Sequence, residues 1–424
     1  MFDTMSAVMT RTWPHVAPSP ERDAALNPLR VLVITRIFPN AVEPLSSPFN
    51  RQQFAALGRR CHVEVMATIP WFPGARTLRR ASRAAARSAD LRDVPPRDVI
   101  DGLDVVHPRV LYVPKIGAAL SGALEAGSLL REVLARRHDV DVILGSWAYP
   151  DGAAAVALSR AIGVPAVIKV HGSDLNVLAT MRGPRANLAL AMPRAARVVA
   201  VSQALAERAA SFGVERGRIA VIPNGVDASL FHVRDPRLAR RALGWAAAGR
   251  IILYCGRLER EKGVFELIEA FGEVVRKQPD LSLVLLGEGS ARAEAEAMVG
   301  PFEDSVRFLG ARPLAEVPTW MAASSLVTLP SHNEGSPNVV REALACGRPV
   351  VATSVGGIPE LVRSPQLGVL VPPGDPHALA RALLAVVGRP HDADAIASRC
   401  RGSWDDSAAA LLSVLEAAHQ EHHP

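Results

Sequence analysis

The chain has 424 residues, too many for one ordinary core, and 49% of them are apolar, enough to fill two. No run approaches the ~18–20 uninterrupted apolar residues of a membrane-spanning helix. Cys61, Cys255, Cys346 and Cys400 form no C-x-x-C pair, which argues against a disulfide framework or zinc site and fits a reducing cytoplasm.

The net charge is +6 and aromatics are only 5%. No basic stretch is interleaved with aromatics, which argues against nucleic-acid binding. The positive balance leaves room for anionic lipid or phosphorylated substrates.

Residues 1–27 contain no apolar block, so a disordered leader is expected there rather than a signal peptide. From residue 29 apolar runs alternate with helical patterns. Strands are expected at Leu29–Thr35, Val63–Ala67, Val140–Gly145, Ala166–Val170, Arg197–Val201 and Ile219–Pro223, with a helix at Ala154–Ile162. Trp71-Phe72-Pro73-Gly74 leads into an Arg-rich segment whose Arg76, Arg79, Arg80, Arg83 and Arg87 share one helical face. Peripheral contact with an anionic membrane is one reading. A solvated surface helix is the plainer one, because the apolar face is mostly alanine.

The pattern restarts after residue 248. Strands are expected at Arg250–Cys255, Leu281–Leu286, Val306–Leu309, Ser325–Leu329, Pro349–Thr353 and Gly368–Val371. Val264, Leu267, Ile268, Phe271, Val274 and Val275 recur at helical spacing. Asp375-Pro376 is a helix-opening pair. Val- and Ile-rich runs separated by helices indicate parallel sheets covered on both faces. The expected class is α/β, with two doubly wound, Rossmann-like halves at 28–228 and 229–402. Ligands of such sheets bind beyond the strands' carboxyl ends, and the cleft between two facing sheets is the expected site.

The stretch Glu334-Gly335-Ser336-Pro337-Asn338-Val339-Val340-Arg341-Glu342-Ala343 carries the strongest chemical signal. Ser336 reads as an N-cap and Pro337 as the first helical residue. The amides near Asn338 and Val339 are then free to face an anion. Glu342, in the second turn, leans back over the same place. Two carboxylates flanking an anion site suit a nucleotide sugar.

Arg257 and Lys262 lie in the loop before the next helix, where cations are disfavoured unless a diphosphate binds there. The alternative is pairing with Glu259 and Glu261. His171 ends the strand Ala166–Val170 at the edge of the expected cleft; it suits a sugar hydroxyl, and packing or capping is the competing reading. Asp174 reads as a helix cap. Pro223-Asn224-Gly225-Val226-Asp227 is a turn at the edge of the first domain. Val355-Gly356-Gly357-Ile358-Pro359-Glu360 either lets the backbone approach ligand or simply turns.

Gly287-Glu288-Gly289 lacks the third glycine of a dinucleotide fingerprint. Asp139/Asp141 and Asp392/Asp394 read as solvated loop acids, and no metal site is expected. Serine-hydrolase and P-loop signatures are absent.

Gly256-Arg257-Leu258 with Lys262-Gly263, Glu334 with Glu342-Ala343, Gly347-Arg348-Pro349-Val350, His171-Gly172-Ser173-Asp174 and Pro223-Asn224-Gly225-Val226-Asp227 together resemble family 4 of the retaining glycosyltransferases. Phe38-Pro39-Asn40, Gln52-Gln53 and Pro70-Trp71 resemble its teichuronic-acid-biosynthesis branch. The resemblance implies the GT-B architecture, with the active site between two Rossmann-like domains and a final helix, 403–420, returning to the first.

It also implies roles. Arg257 and Lys262 bind the donor diphosphate. Glu334 contacts the donor sugar. The amides after Gly335, those of Ser336, Asn338 and Val339 among them, meet sugar and phosphate. Glu342 holds the ribose, and His171 faces the sugar. Many members carry glycines in the loop after the first strand, but Leu45-Ser46-Ser47-Pro48-Phe49 has none.

The expected activity is retaining transfer of a hexose from a UDP- or GDP-sugar to a glycan or lipid-linked acceptor, with no cofactor, in the cytoplasm at the inner membrane face. A nucleotide-sugar epimerase and a non-catalytic nucleotide-sugar-binding protein are the alternatives.

Overall fold

The computed structural model describes residues 28–72, 83–113, 117–245, 249–400 and 402–422. The expected leader and Arg76, Arg79 and Arg80 lie outside these residues. Arg87, on the helix Arg83–Asp90, is bound by Glu43 at 2.7 and 2.8 Å.

Two compact units form: Met1–Pro223 with Asp405–Pro424, and Asn224–Trp404. The boundaries differ from the expected 228/229 and 402/403. The turn placed at the edge of the first domain is bonded into the second unit. Val226 bridges to Ser403, the Val226 amide donates to Gly402 O at 3.1 Å, and Asn224 Nδ2 donates to Asn338 Oδ1 at 2.9 Å. A turn signal is local, whereas these partners lie more than a hundred residues away.

Among the described residues the first unit has ten strands: β1 (Arg30–Thr35), β2 (His62–Ala67), β3 (Ile69–Trp71), β4 (Arg97–Ile100), β5 (Leu103–Val106), β6 (Arg109–Leu111), β7 (Val142–Ser146), β8 (Ala166–Val170), β9 (Arg197–Ala200) and β10 (Ile219–Val221). Eight of them form one sheet in the order β10-β9-β8-β7-β1-β2-β5-β4, while β3 and β6 pair separately. All neighbours are parallel except β4 and β5. Strands β7 and β8 are buried along their whole length, as expected of Val- and Ile-rich runs covered on both faces. Strands β3 to β6, unpredicted, are three or four residues long, too short for a clear alternation.

The last helix, Trp404–His422, packs in this unit. Arg59 pairs with its Asp405 at 2.8 Å, and Gln53 Nε2 donates to its Ser407 Oγ at 2.8 Å.

The second unit holds β11 (Arg250–Cys255), β12 (Leu281–Leu286), β13 (Val306–Gly310), β14 (Leu326–Leu329), β15 (Val350–Thr353) and β16 (Gly368–Val371). They form one parallel sheet in the order β13-β12-β11-β14-β15-β16, the strand order of a Rossmann unit. The helix Val264–Lys277 buries Val264, Leu267, Ile268, Phe271 and Val274; each such side chain contributes roughly 1.5–3 kcal/mol. Asp375 caps the helix Pro376–Val387 by accepting from the Ala378 amide at 2.8 Å.

Two of the acids read as solvated have structural partners. Asp141 holds Arg30 at 2.7 Å, and Asp392 caps Ala393–Ala397. Among the described residues no helix is long and apolar enough to cross a membrane, and no cluster of His, Cys, Asp and Glu is arranged to hold a metal ion.

Candidate active site

In the second unit the strand order reverses between β11 and β14. At such a switch point the loops beyond the carboxyl ends diverge and leave a crevice. The loop after β11 carries Arg257 and Lys262; the loop after β14 carries Glu334. Lys262 Nζ donates to Glu334 Oε1 at 2.7 Å, and Ser331 Oγ donates to the same oxygen at 2.8 Å. Lys262 therefore pairs across the switch point rather than with its neighbours Glu259 or Glu261. Arg257 does pair locally, with Glu261 at 3.0 Å, and both side chains are exposed.

Two glycines allow this approach. Gly263 has φ 69°, and a Cβ there would lie 2.0 Å from Pro330 O, so the loops after β11 and β14 touch at a position closed to side chains. The His332 amide donates to Glu261 O at 2.9 Å and ties the same two loops. Gly356, at φ 52°, would place a Cβ 1.9 Å from Glu334 O. The close approach expected of the Val355–Glu360 loop is thus made to the backbone of Glu334, and the Gly357 amide donates to Gly335 O at 2.8 Å.

The helix start is one residue later than expected. The helix runs Asn338–Ala345, Pro337 is its extended cap at ψ 122°, and Ser336 makes no capping bond. Ser336 instead precedes the cap, and its buried Oγ has no partner among the described residues. The reason is local: an extended Pro337 places the hydroxyl before it beyond reach of the first-turn amides. Those of Asn338 and Val339 have no backbone acceptor among the described residues.

Glu342 lies in the second turn of that helix, half-buried and without a partner among the described residues. Burial pushes its carboxyl up to about 7. Burial also pushes the Cys255 thiol, at the end of β11, up to about 12, and the nearby Glu342 adds to the shift. The unpaired carboxyl thus stands close to the carboxyl end of β11.

In the first unit His171 follows β8. Its Nε2 lies 2.9 Å from Ser146 Oγ, and its ring is 5.1 Å from that of Phe49. Burial, reinforced by Lys169, holds the imidazole well below its usual range, so it is neutral at physiological pH. Asp174 does more than cap a helix. Fully buried, it accepts from the amides of Ala148 (3.0 Å), His171 (3.1 Å), Gly172 (2.7 Å) and Leu175 (3.1 Å). Asp174→Ala strands these buried donors and is expected to destabilise the protein by about 2–3 kcal/mol, measured by urea unfolding.

Sequence reasoning did not single out Lys169, Asn50 or Ser146. The available signal was Lys169, a charged residue inside the run Ala166–Val170. The glycine-free loop leads to Ser47, which takes a left-handed backbone at φ 45° just before the helix Pro48–Gly58.

Residues 249–389 match the profile of the family described as glycosyl transferases group 1, and residues 84–230 match that of glycosyltransferase family 4. The chain is 31% identical over 360 residues to TuaC of Bacillus subtilis, a glycosyltransferase assigned to teichuronic acid biosynthesis, covering 84% of this chain and 88% of TuaC. The chain belongs to the family 4, group 1 glycosyltransferases.

Members with a different name match over a shorter span. The D-inositol 3-phosphate glycosyltransferase of Segniliparus rotundus is 33% identical over 218 residues, about half the length of each chain (49% of both). The glycosyltransferase fold is shared with Anabaena HepE, crystallised with UDP, at a TM-score of 0.62 and 21% identity over 93% of this chain and 98% of HepE. With its two Rossmann-like units, this glycosyltransferase has the GT-B class of fold.

Proposed function

We propose that this glycosyltransferase moves a hexose from a nucleotide diphosphate sugar to a hydroxyl of a glycan or lipid-linked acceptor, with retention of anomeric configuration. The observation that carries the reading is the Lys262–Glu334 bond across the β11/β14 switch point, beside a helix N-terminus with free amides. The UDP bound to HepE and the biosynthetic role in TuaC's name support a UDP-sugar and an envelope polymer. Work at the cytoplasmic face of a membrane is part of the proposal.

In this reading Arg257, Lys262 and the amides of Ser336, Asn338 and Val339 receive the diphosphate. Glu342 accepts from the ribose hydroxyls. Glu334 and Gly335 hold the donor sugar, and neutral His171 accepts or donates a hydrogen bond to it. The bond from the anomeric carbon to the diphosphate oxygen breaks, and its electron pair stays on phosphate. The acceptor oxygen bonds to the same carbon on the same face, and its proton passes to the departing phosphate. The developing negative charge is met by Arg257, Lys262 and the helix N-terminus. The protein's own cations carry this load, so turnover is expected to persist in EDTA.

Two measurements test the reading. UDP or GDP at a hundredfold excess over Kd is expected to stabilise the protein by about 2.7 kcal/mol in a thermal-shift assay. Labelled donor is expected to lose its sugar only when acceptor lipid or glycan is present, giving a product of unchanged anomeric configuration by NMR. A new nucleotide sugar formed without acceptor would instead identify an epimerase, and binding without turnover a binding protein.

A further inference from the structure

The first sheet has a switch point of its own. The chain steps outward from β1 to β2 on one side and from β7 to β8, β9 and β10 on the other, so the strand order reverses between β1 and β7. None of the roles proposed above falls on this crevice. Gly145 on β7 pairs with Ile34 on β1, and Ser146 pairs with Lys169 on β8. Trp147, the next residue, therefore stands at the carboxyl edge, level with Arg36 on one side and one residue short of His171 on the other.

Trp147 has φ 131° and ψ 128°, a backbone that residues with a Cβ rarely adopt. The fold holds it there. Its amide donates to Lys169 O at 3.2 Å, its carbonyl accepts from the Gly152 amide at 2.8 Å, and the Ala148 amide donates to Asp174 Oδ2 at 3.0 Å. A Cβ on Gly145 would lie 2.6 Å from Gly152 Cα, so the turn is pressed onto the end of β7. The indole is partly exposed, yet its Nε1–H is buried with no partner among the described residues. A strained backbone and an unpaired donor are two costs at one aromatic residue, and such costs gather where a ligand binds.

Beside it, the guanidinium of Arg36 is fixed in one plane. Its Nε donates to Asp151 Oδ1 at 3.0 Å and its Nη2 to Glu125 Oε2 at 2.7 Å, both from buried carboxylates. Nη1 has no partner among the described residues, and the side chain is 25% exposed. The crevice carries no positive excess. One guanidinium faces two carboxylates, and Arg87, near enough to feel the charge of Arg36, is bound by Glu43. With Asp151 protonated the cluster is neutral, and with it ionised the cluster is negative, so neither form gathers phosphate. A fixed planar donor beside an aromatic face suits hydroxyls and polarised C–H groups, which a sugar ring presents together.

We propose that Trp147 and Arg36 form an acceptor subsite for a neutral pyranose ring: the indole stacks on the ring, and Arg36 Nη1 donates to its hydroxyls. A phosphate on the same acceptor is not recognised at this place. The inference rests on the reading of the protein as a sugar-transferring enzyme and narrows its acceptor to one that presents a sugar ring.

The test uses the full chain saturated with UDP and, as probes, the methyl pyranosides of glucose, galactose, mannose and their N-acetylamino forms, followed by saturation-transfer NMR. Wild type is expected to bind at least one of them, with an affinity unchanged between about 0.01 and 1 M NaCl, while the screening length falls from about 30 to 3 Å. Trp147→Phe and Trp147→Leu keep the same backbone strain and differ in the aromatic face. The Phe variant is expected to bind within about twofold of wild type and the Leu variant about five- to tenfold more weakly. Arg36→Lys keeps a cation for the two carboxylates but loses the fork, and is expected to weaken pyranoside binding as well. UDP affinity by calorimetry is expected to be equal in all four proteins. No response from any pyranoside, equal binding by the Phe and Leu variants, or a response lost at high salt and competed by inorganic phosphate overturns the inference. Failure of wild type to bind UDP overturns the enzyme reading instead, and is read without any pyranoside.

Discussion

Lys262→Ala is expected to lower kcat/KM for sugar transfer by about three orders of magnitude, on the scale of removing a preorganised charge donor from a water-poor site, roughly 4 kcal/mol. Lys262 has three N–H donors. One is given to Glu334 at 2.7 Å, and in the proposed reading the others meet the diphosphate. Because the side chains of Lys262 and Glu334 are only 19% and 11% exposed, the substitution also leaves a largely buried carboxylate supported by Ser331. An accompanying loss of about 1–3 kcal/mol in unfolding free energy is expected. Arg257, exposed and paired with Glu261, should give a smaller kinetic effect and almost no change in stability. Steady-state kinetics with urea unfolding on both alanine variants checks the order. Near-normal turnover in both sinks the proposed charge stabilisation.

Glu342→Gln is expected to make the empty protein more stable and the enzyme worse. A carboxyl raised from 4.5 to about 7 by burial keeps a proton in the native state that the unfolded chain has already released. Native stability therefore falls as pH rises through that window, and the full penalty applies above it. At 1.36 kcal/mol per unit, the shift corresponds to on the order of 3 kcal/mol. The variant should match wild type near pH 4 and exceed it by that order at pH 8. In the proposed reading ribose hydroxyls donate to the ionised carboxylate, a charged bond worth about 1.5–3 kcal/mol. UDP affinity is thus expected to rise with pH through about 7 in wild type, and to be lower and flat in Glu342→Gln. Equal, pH-independent affinities by calorimetry would remove Glu342 from the nucleotide site.

Much of the architecture was legible because long parallel strands are apolar on both faces. Ala166–Val170, Arg250–Cys255, Leu281–Leu286 and Gly368–Val371 have the bounds read from the chain. The short strands β3 to β6 left no such trace. The candidate site was legible as residue types in loops: cations after one strand, carboxylates around a helix start. Which of those charges would touch was not, since Glu261 and Glu334 are equally plausible partners for Lys262 until the strands are ordered. The capping hydroxyl of Ser336 was misplaced because the cap depends on the ψ of Pro337, which the sequence leaves open between helical and extended values.

By itself the sequence determined the α/β class, the two-fold repetition of the Rossmann pattern and the family, because these rest on periodicity and on motifs local in the chain. Tertiary structure alone decided three other matters. It placed the loops after β11 and β14 side by side, and so paired Lys262 with Glu334. It left Glu342 desolvated without a partner among the described residues. It buried Lys169 on β8 with Gln53 Oε1 accepting from its amine. Each depends on strand order and on which atoms are removed from water, quantities set by packing between segments tens to hundreds of residues apart.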